Sequence, residues 1–129
     1  MRRISPYELK EKSLALAVCV LNEYLELREK HRGLEELLVR LLRAGTLPGK
    51  HIAEAFLPCG NEELAANLAL ACSCARETEY LLRLLECAGL MEKEKARCVA
   101  EQARELAEAL CAALDECKTK RQIFTALTS

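Results

Sequence analysis

The 129-residue sequence contains no tryptophan, and aromatic residues make up only 4% of it. Glycine and proline are also scarce, with five and three residues, so few positions favour turns. Neither sign of charge dominates, because 19 basic and 20 acidic side chains give a formal net charge of −1. That balance excludes a general attraction to polyanions, so binding to nucleic acid requires a local basic patch. The longest uncharged run, 64–75, is too short to span a bilayer.

Catalytic motifs are missing as well. The sequence has no glycine-rich phosphate loop, nucleophile elbow or His-Glu zinc motif, and neither histidine lies three residues after a glutamate, as a di-iron bundle would require. The only evidence for an enzyme is the set of carboxylates Glu54, Glu77 and Glu79. Carboxylates of this kind more often pair with a nearby arginine or accept hydrogen bonds from a frayed backbone. We therefore expect a protein that is not an enzyme and has no cofactor.

No apolar segment follows Met1-Arg2-Arg3, so the sequence shows no signal peptide and a cytoplasmic location is expected. A disulfide framework is then not expected, although the sequence has eight cysteines. A zinc site would need paired Cys-x-x-Cys motifs, whereas Cys72 and Cys74 point to different sides of a helix. We predict small, mostly buried apolar side chains and no metal site. The cysteines are Cys19, Cys59, Cys72, Cys74, Cys87, Cys98, Cys111 and Cys117.

Leucine, alanine, glutamate, lysine and arginine dominate the sequence and favour helices. Ser5 is suited to cap a first helix that has Pro6 at its first position, and Gly33 and Gly89 follow helical segments. Helical periodicity predicts helices at about 6–30, 34–56, 61–88 and 92–117, followed by a mobile tail at 118–129. Four long helices with short links predict one all-α domain over 1–129, an antiparallel up-down-up-down four-helix bundle.

The apolar residues of two helices form distinct patterns. In helix one they recur at helical spacing as Tyr7, Leu14, Val18, Leu21 and Leu25. Helix three has more apolar positions than one stripe can hold, which favours self-association over a helix central to a monomer. Its main row is Leu64, Leu68, Ala71, Ala75, Leu82 and Leu85, widened by Leu70, Cys74, Leu81 and Leu84.

Helix two contains Gly45, Pro48 and Gly49 in its interior. Proline has no N–H and clashes with the preceding turn, so a helix that passes through it kinks or breaks. We predict a kink in helix two.

Basic residues occur near both ends of the chain and around this kink. In an antiparallel bundle the start of helix one and the end of helix four lie at the same end, so their charges could form one patch that an oligomer multiplies. The alternative is an ordinary surface of mixed charge. The candidate nucleic-acid-binding residues are Arg2, Arg3, Lys10, Arg40, Arg43, Lys50, Lys118, Lys120 and Arg121.

Two segments carry a family resemblance. One spans 41–55 and contains the Leu-Leu-Arg-Ala run, Pro48 and Ile52-Ala53-Glu54-Ala55. The other is the Arg-Glu-Thr-Glu-Tyr-Leu-Leu-Arg-Leu-Leu run at 76–85 with Ala88-Gly89-Leu90. They resemble the four-helix bundle proteins first noted in intervening sequences of 23S ribosomal RNA genes. His51 stands where that family usually has asparagine, and Leu82 replaces a common tryptophan.

The resemblance implies a cytoplasmic, ring-like homo-oligomer, typically a pentamer, without enzymatic activity. One branch of the family, the accessory proteins of diversity-generating retroelements, binds a reverse transcriptase and its template RNA. The resemblance therefore implies an accessory protein that contacts the backbone of RNA or DNA. A bundle that serves only structure or protein–protein interaction is the alternative.

Overall fold

The computed structural model describes residues 4–58 and 60–128, apart from the side chains of 121–125 and 128. Within these ranges the chain forms four α-helices and no strand. The helices are α1 (Pro6–Lys30), α2 (Glu35–Ala55), α3 (Asn61–Cys87) and α4 (Lys93–Thr128). The predicted all-α class is therefore confirmed.

Local chemistry explains several helix ends. The Oγ atom of Ser5 accepts a hydrogen bond from the backbone N–H of Glu8 at 3.1 Å, and Pro6 opens α1. Gly33 and Gly89 have φ values of +90° and +73°, a left-handed conformation that glycine adopts without a steric penalty after a helix. At α3, Gly60 is the N-cap and no side chain caps the helix.

The four helices pack in sequence around one apolar core. The interface between α3 and α4 is the most extensive, and α1 packs well on α2 but only sparsely on α4. This pattern places α1 and α3 at diagonally opposite corners of the bundle. The largest fully buried side chains are Leu9, Leu16, Val20, Leu38, Leu41, Ile52, Leu68, Leu81, Leu82, Leu85, Leu106 and Leu110.

Helix α2 continues through Pro48 without interruption. Its two glycines face α1: a Cβ atom at Gly45 would lie 2.6 Å from Cγ2 of Val20, and one at Gly49 would lie 3.4 Å from Oγ of Ser13. Since these glycines are one turn apart, they form a strip without side chains along which α1 approaches closely. The predicted kink stays a prediction, and close packing of α1 is a second reason for glycine here.

Helix α4 extends to Thr128, so its predicted end at about residue 117 is wrong, and helix occupies the predicted tail segment as far as Thr128. The sequence has no glycine or proline after Cys117, and a run of basic residues does not by itself end a helix. Local contacts support the continuation. The Oγ1 atom of Thr119 donates to the carbonyl of Asp115 at 2.9 Å, and Nζ of Lys120 lies 3.7 Å from Oε1 of Glu116.

None of the helices in the described part of the chain combines the length and the apolar character needed to cross a bilayer.

Candidate interaction surface

Helix α1 carries two apolar stripes on opposite faces. The buried stripe packs into the core and consists of Leu9, Ser13, Leu16, Val20 and Leu27. The other stripe is the one that the sequence indicates for helix one, and it faces outward. Its members Tyr7, Leu14, Val18, Leu21 and Leu25 are between 42% and 70% exposed. We call it the outer stripe of α1.

The outer stripe has the spacing of a coiled-coil seam. Tyr7, Leu14 and Leu21 are seven residues apart, and Val18 and Leu25 fall four residues after the second and third of them. Alternating steps of three and four keep such residues on one face of a helix, as the a and d positions of a heptad do. The stripe is about 27 Å long at 1.5 Å per residue. A surface of this length and composition is typical of a helix that packs against a partner.

Helix α3 exposes a second apolar surface. The main row predicted for it packs inward, and Leu81 of the wider set is also buried. Leu70, Tyr80 and Leu84 are instead exposed, with Tyr80 at 60%. They lie on one helical face, because Leu70 and Leu84 are two heptads apart and Tyr80 is four residues before Leu84. We call this the outer face of α3.

The neighbouring groove between α2 and α3 is polar as well as apolar. Its walls include Val39, Leu47 and Arg43, and it is closed on one side by an ion pair in which Nε of Arg40 lies 2.5 Å from Oε1 of Glu77. Both charged side chains are well exposed to solvent, so this pair contributes little to stability. It fixes two long side chains across the groove and defines its edge.

An apolar cavity opens at the end of the bundle where α1 starts and α4 ends. It has a volume of about 400 Å³. Leu9, Phe56, Leu64 and Leu68 line its apolar wall, and Lys120 lines its rim beside the start of α1. The two chain segments predicted to share one end of the bundle therefore meet there.

The structure brings together only part of the predicted basic set. Lys118 and Lys120, both exposed, lie at the same end of the bundle as Lys10. Arg43 is exposed on α2, away from that end, and Nζ of Lys50 lies 3.9 Å from Oε1 of Glu54. Arg40 forms the ion pair with Glu77 described above. Arg2, Arg3 and the side chain of Arg121 lie outside the described residues.

The two carboxylates Glu54 and Glu77 thus each have a basic partner, the structural role that the sequence analysis favours for them. Glu79 lies in a shallow groove between α3 and α4 together with Arg83, Glu86 and Arg97. Nε of Arg97 approaches Oε1 of Glu86 at 3.2 Å. The carboxylates of this region alternate with guanidinium groups, an arrangement that neutralises their charge.

The prediction of mostly buried cysteines is wrong for the described residues, which do not include Cys59. Cys72 alone among them is buried, and Cys87 and Cys98 are exposed. Burial raises the pKa of the Cys72 thiol above its ordinary value, and it does so for Cys74 and Cys117 too. Within the described ranges, no group of three or more His, Cys, Asp or Glu side chains is placed to hold a metal ion. The remaining described cysteines, all half-buried, are Cys19, Cys74, Cys111 and Cys117.

Comparison with known proteins finds a structural relative. A protein of unknown function from the S23 ribosomal protein family of Bacteroides thetaiotaomicron, with a crystal structure at 1.70 Å resolution, matches with a TM-score of 0.79 and 27% sequence identity. The match covers 87% of this chain and 99% of that chain. No protein-family model matches the sequence, and no curated protein does. The chain is therefore similar, in fold and over most of its length, to a member of the S23 ribosomal protein family.

Proposed function

We propose that the protein is a non-enzymatic interaction module whose copies assemble head to tail into a ring. The observation that carries the proposal is the outer stripe of α1, an apolar seam about 27 Å long on the side of the helix that the bundle leaves uncovered. Soluble monomers rarely expose contiguous apolar surface of this kind, and patches that they do expose are often interaction sites.

The second apolar surface favours a ring over a simple dimer. A two-fold dimer joins one patch to the same patch on its partner, whereas a head-to-tail contact joins two different patches. The outer stripe of α1 and the outer face of α3 lie at opposite corners of the bundle, so one copy can bind a neighbour on each side. If the rotation between neighbours closes, the result is a ring, for which the family resemblance implies a pentamer.

Mixing two variants tests the head-to-tail contact. Leu14→Glu disables the outer stripe of α1, and Leu84→Glu disables the outer face of α3. In the proposed arrangement each variant alone is monomeric in analytical ultracentrifugation, and the mixture gives a 1:1 heterodimer, because one intact contact remains. Ala112→Glu is the matched control, since Ala112 is exposed on α4 outside both surfaces and its change leaves the assembly intact.

Two results would remove the proposal. A wild-type protein that stays monomeric at high micromolar concentration has no such contact. A Leu84→Glu variant that still self-associates through an intact α1 stripe indicates a two-fold dimer. Circular dichroism of each variant verifies that the helices are retained.

A second candidate function, binding to the phosphate backbone of RNA or DNA as an accessory to a reverse transcriptase, is favoured by one observation. Lys10, Lys118 and Lys120 lie at one end of the bundle, and a ring of copies multiplies this charge around one rim. Contacts of lysine with phosphate position a nucleic acid without reading its sequence. The reverse transcriptase follows from the family resemblance.

Fluorescence anisotropy with a labelled single-stranded RNA at increasing salt tests this function. Lys118→Glu with Lys120→Glu should weaken binding and flatten its dependence on salt, because fewer counterions are released. Lys93→Glu is the control for each single charge reversal, since it makes the same substitution at the exposed opposite end of α4. If the wild-type protein does not bind RNA at low salt, this second function is excluded and only the assembly function remains. Whether a co-expressed reverse transcriptase is retained by the protein tests the protein partner.

A further inference from the structure

Two cysteines that are far apart in the sequence meet at the interface of α3 and α4. The Sγ atom of Cys72 lies 3.5 Å from the carbonyl oxygen of Ala107, one helical turn before Cys111. Nη2 of Arg76, one turn after Cys72, lies 3.6 Å from Sγ of Cys111. The two contacts join the same turns of α3 and α4, and the Cys111 thiol is close enough to Cys72 to raise the pKa of that thiol.

The interface around this pair is built for close approach. Ala71 and Ala75 flank Cys72 on α3, and Ala103 and Ala107 precede Cys111 on α4, all of them buried. Small side chains let two helix backbones come near each other, and α3 and α4 share the most extensive contact in the bundle. A disulfide requires Cα atoms within about 7 Å, a separation reached only where backbones pack this closely.

The two thiols differ in their access to solvent. Cys72 is buried, and the desolvation of its sulfur raises the pKa of its thiol. Cys111 is half-buried, and its sulfur accepts from the guanidinium of Arg76. A peroxide reaches a sulfur that is accessible to solvent more readily than one that is buried. Cys111 is therefore the residue that meets the oxidant, and Cys72 is the one that resolves the product.

We propose that Cys72 and Cys111 form a reversible disulfide between α3 and α4 when the protein meets hydrogen peroxide. The thiolate of Cys111 attacks one peroxide oxygen, the O–O bond breaks, and hydroxide leaves and takes up the proton that the thiol released, giving a sulfenic acid and one water. The sulfur of Cys72 then loses its proton and attacks the sulfur of Cys111, the S–O bond breaks, and a second water is released. In sum, two thiols and one peroxide give one disulfide and two waters. A dithiol reductant reverses the bond and is itself oxidised.

This site is independent of the assembly proposed above, because it uses neither the outer stripe of α1 nor the outer face of α3. Its formation closes a loop from Cys72 to Cys111, which constrains the unfolded chain. Oxidised protein should therefore resist denaturant better than reduced protein. The effect is a peroxide-dependent tightening of the hairpin formed by α3 and α4.

Peptide mapping of the full-length protein tests the proposal. Reduced protein in which the exposed Cys87 and Cys98 are replaced by alanine is treated with peroxide, blocked with iodoacetamide and cut with trypsin. The expected product is a cross-link between fragments 51–76 and 105–118 of one chain, with a mass two hydrogens below the sum of the parts. Cys72→Ala and Cys111→Ala should each abolish it, and dithiothreitol should remove it.

Matched controls use the neighbouring cysteines of the same two fragments, Cys74→Ala and Cys117→Ala, which should keep the cross-link. Absence of a cross-link between these fragments in the protein that lacks only Cys87 and Cys98 would overturn the proposal, as would a cross-link that persists in Cys72→Ala or joins two copies. A urea titration gives a second readout that does not depend on mapping. Peroxide should raise the unfolding midpoint of the protein with both thiols and leave that of Cys111→Ala unchanged, and an equal shift in the two would also overturn it.

Discussion

Replacing Gly45 by alanine should destabilise the protein even though alanine is the better helix former. The new Cβ atom would lie 2.6 Å, 2.7 Å and 2.8 Å from Cγ2, Cγ1 and Cβ of Val20. Real Cβ atoms do not approach other carbons this closely, so α1 or Val20 must shift. Val20 is fully buried and β-branched, and one of the three clashing atoms is its own Cβ, so rotation of its side chain cannot relieve the contact.

The size of the effect follows from two opposing terms. Overpacking of a filled core costs about 3 kcal/mol at the upper end of its usual range. Removal of a glycine from a helix interior contributes about 1 kcal/mol in the opposite direction. The net expectation is a loss of about 2 kcal/mol, since the steric term exceeds the propensity term.

Urea denaturation followed by circular dichroism measures this loss, and two further variants isolate its cause. Gly49→Ala lies in the same helix, next to Pro48, but its new Cβ would meet only Ser13, at 3.4 Å from Oγ and 3.9 Å from Cβ. It should stabilise the protein by up to about 1 kcal/mol. In a Val20→Ala background the contacts with Cγ1 and Cγ2 disappear and only the one with Cβ, at 2.8 Å, remains. Adding alanine at position 45 should therefore cost less than in the wild type, a coupling of about 1 kcal/mol or more.

An unfolding midpoint for Gly45→Ala at or above that of the wild type would refute this reasoning. Equal losses for Gly45→Ala in the wild-type and Val20→Ala backgrounds would do the same, because the cost would then not come from contact with Val20.

Two other changes have clear expectations. The Nδ1 atom of His51 is buried without a hydrogen-bond partner among the described residues, so His51→Leu should raise the free energy of unfolding by about 1 kcal/mol in a urea titration, and a fall would contradict it. Hydrogen bonds from Lys30 and then Lys95 lower the pKa of Glu26 below its ordinary value. A carboxylate whose pKa is lower in the folded than in the unfolded protein stabilises the fold at pH values above its unfolded pKa. This stabilisation is lost as the pH falls through its pKa in the folded protein. Glu26→Gln should therefore show a smaller drop in thermal midpoint between neutral and acidic pH than the wild type, and an unchanged drop would refute this.

Helix ends that depend on local chemistry could be predicted from the sequence. Ser5, Gly33 and Gly89 act within one turn of where they stand, so their effect does not depend on the rest of the fold. The end of α4 was not predicted correctly. The basic run from Lys118 favours a helix C-terminus, but only a residue such as glycine or proline would have forced one.

The surface of α1 could not be assigned from periodicity. Two stripes of comparable apolar character lie on opposite faces of that helix, and spacing alone does not say which faces the core. The choice depends on long-range packing, because Val20 on one stripe fits against the bare strip at Gly45. On α3 the sequence shows correctly that apolar residues exceed one stripe, since that conclusion needs only a count of positions on the helix.

The meeting of Cys72 and Cys111 could not be predicted either. They occupy different helices, and their contact depends on the rotation and register of α3 against α4, which no local pattern specifies. The basic residues show the same limit. Helix order places Lys10 near Lys118, but only the side-chain contacts reveal that Arg40 and Lys50 are engaged with carboxylates.

The uneven packing of α1 has a consequence for the order in which the protein opens and folds. Because α1 contacts α4 only sparsely while α3 and α4 share the most extensive interface, backbone amides of α1 should exchange with solvent first, and those of the α3–α4 hairpin last. Contacts between neighbouring helices dominate the bundle, so the hairpin can form early and α1 can dock late. A neighbour bound to the outer stripe would hold α1 from its other side. Slower amide exchange along 7–25 is then a direct measure of assembly.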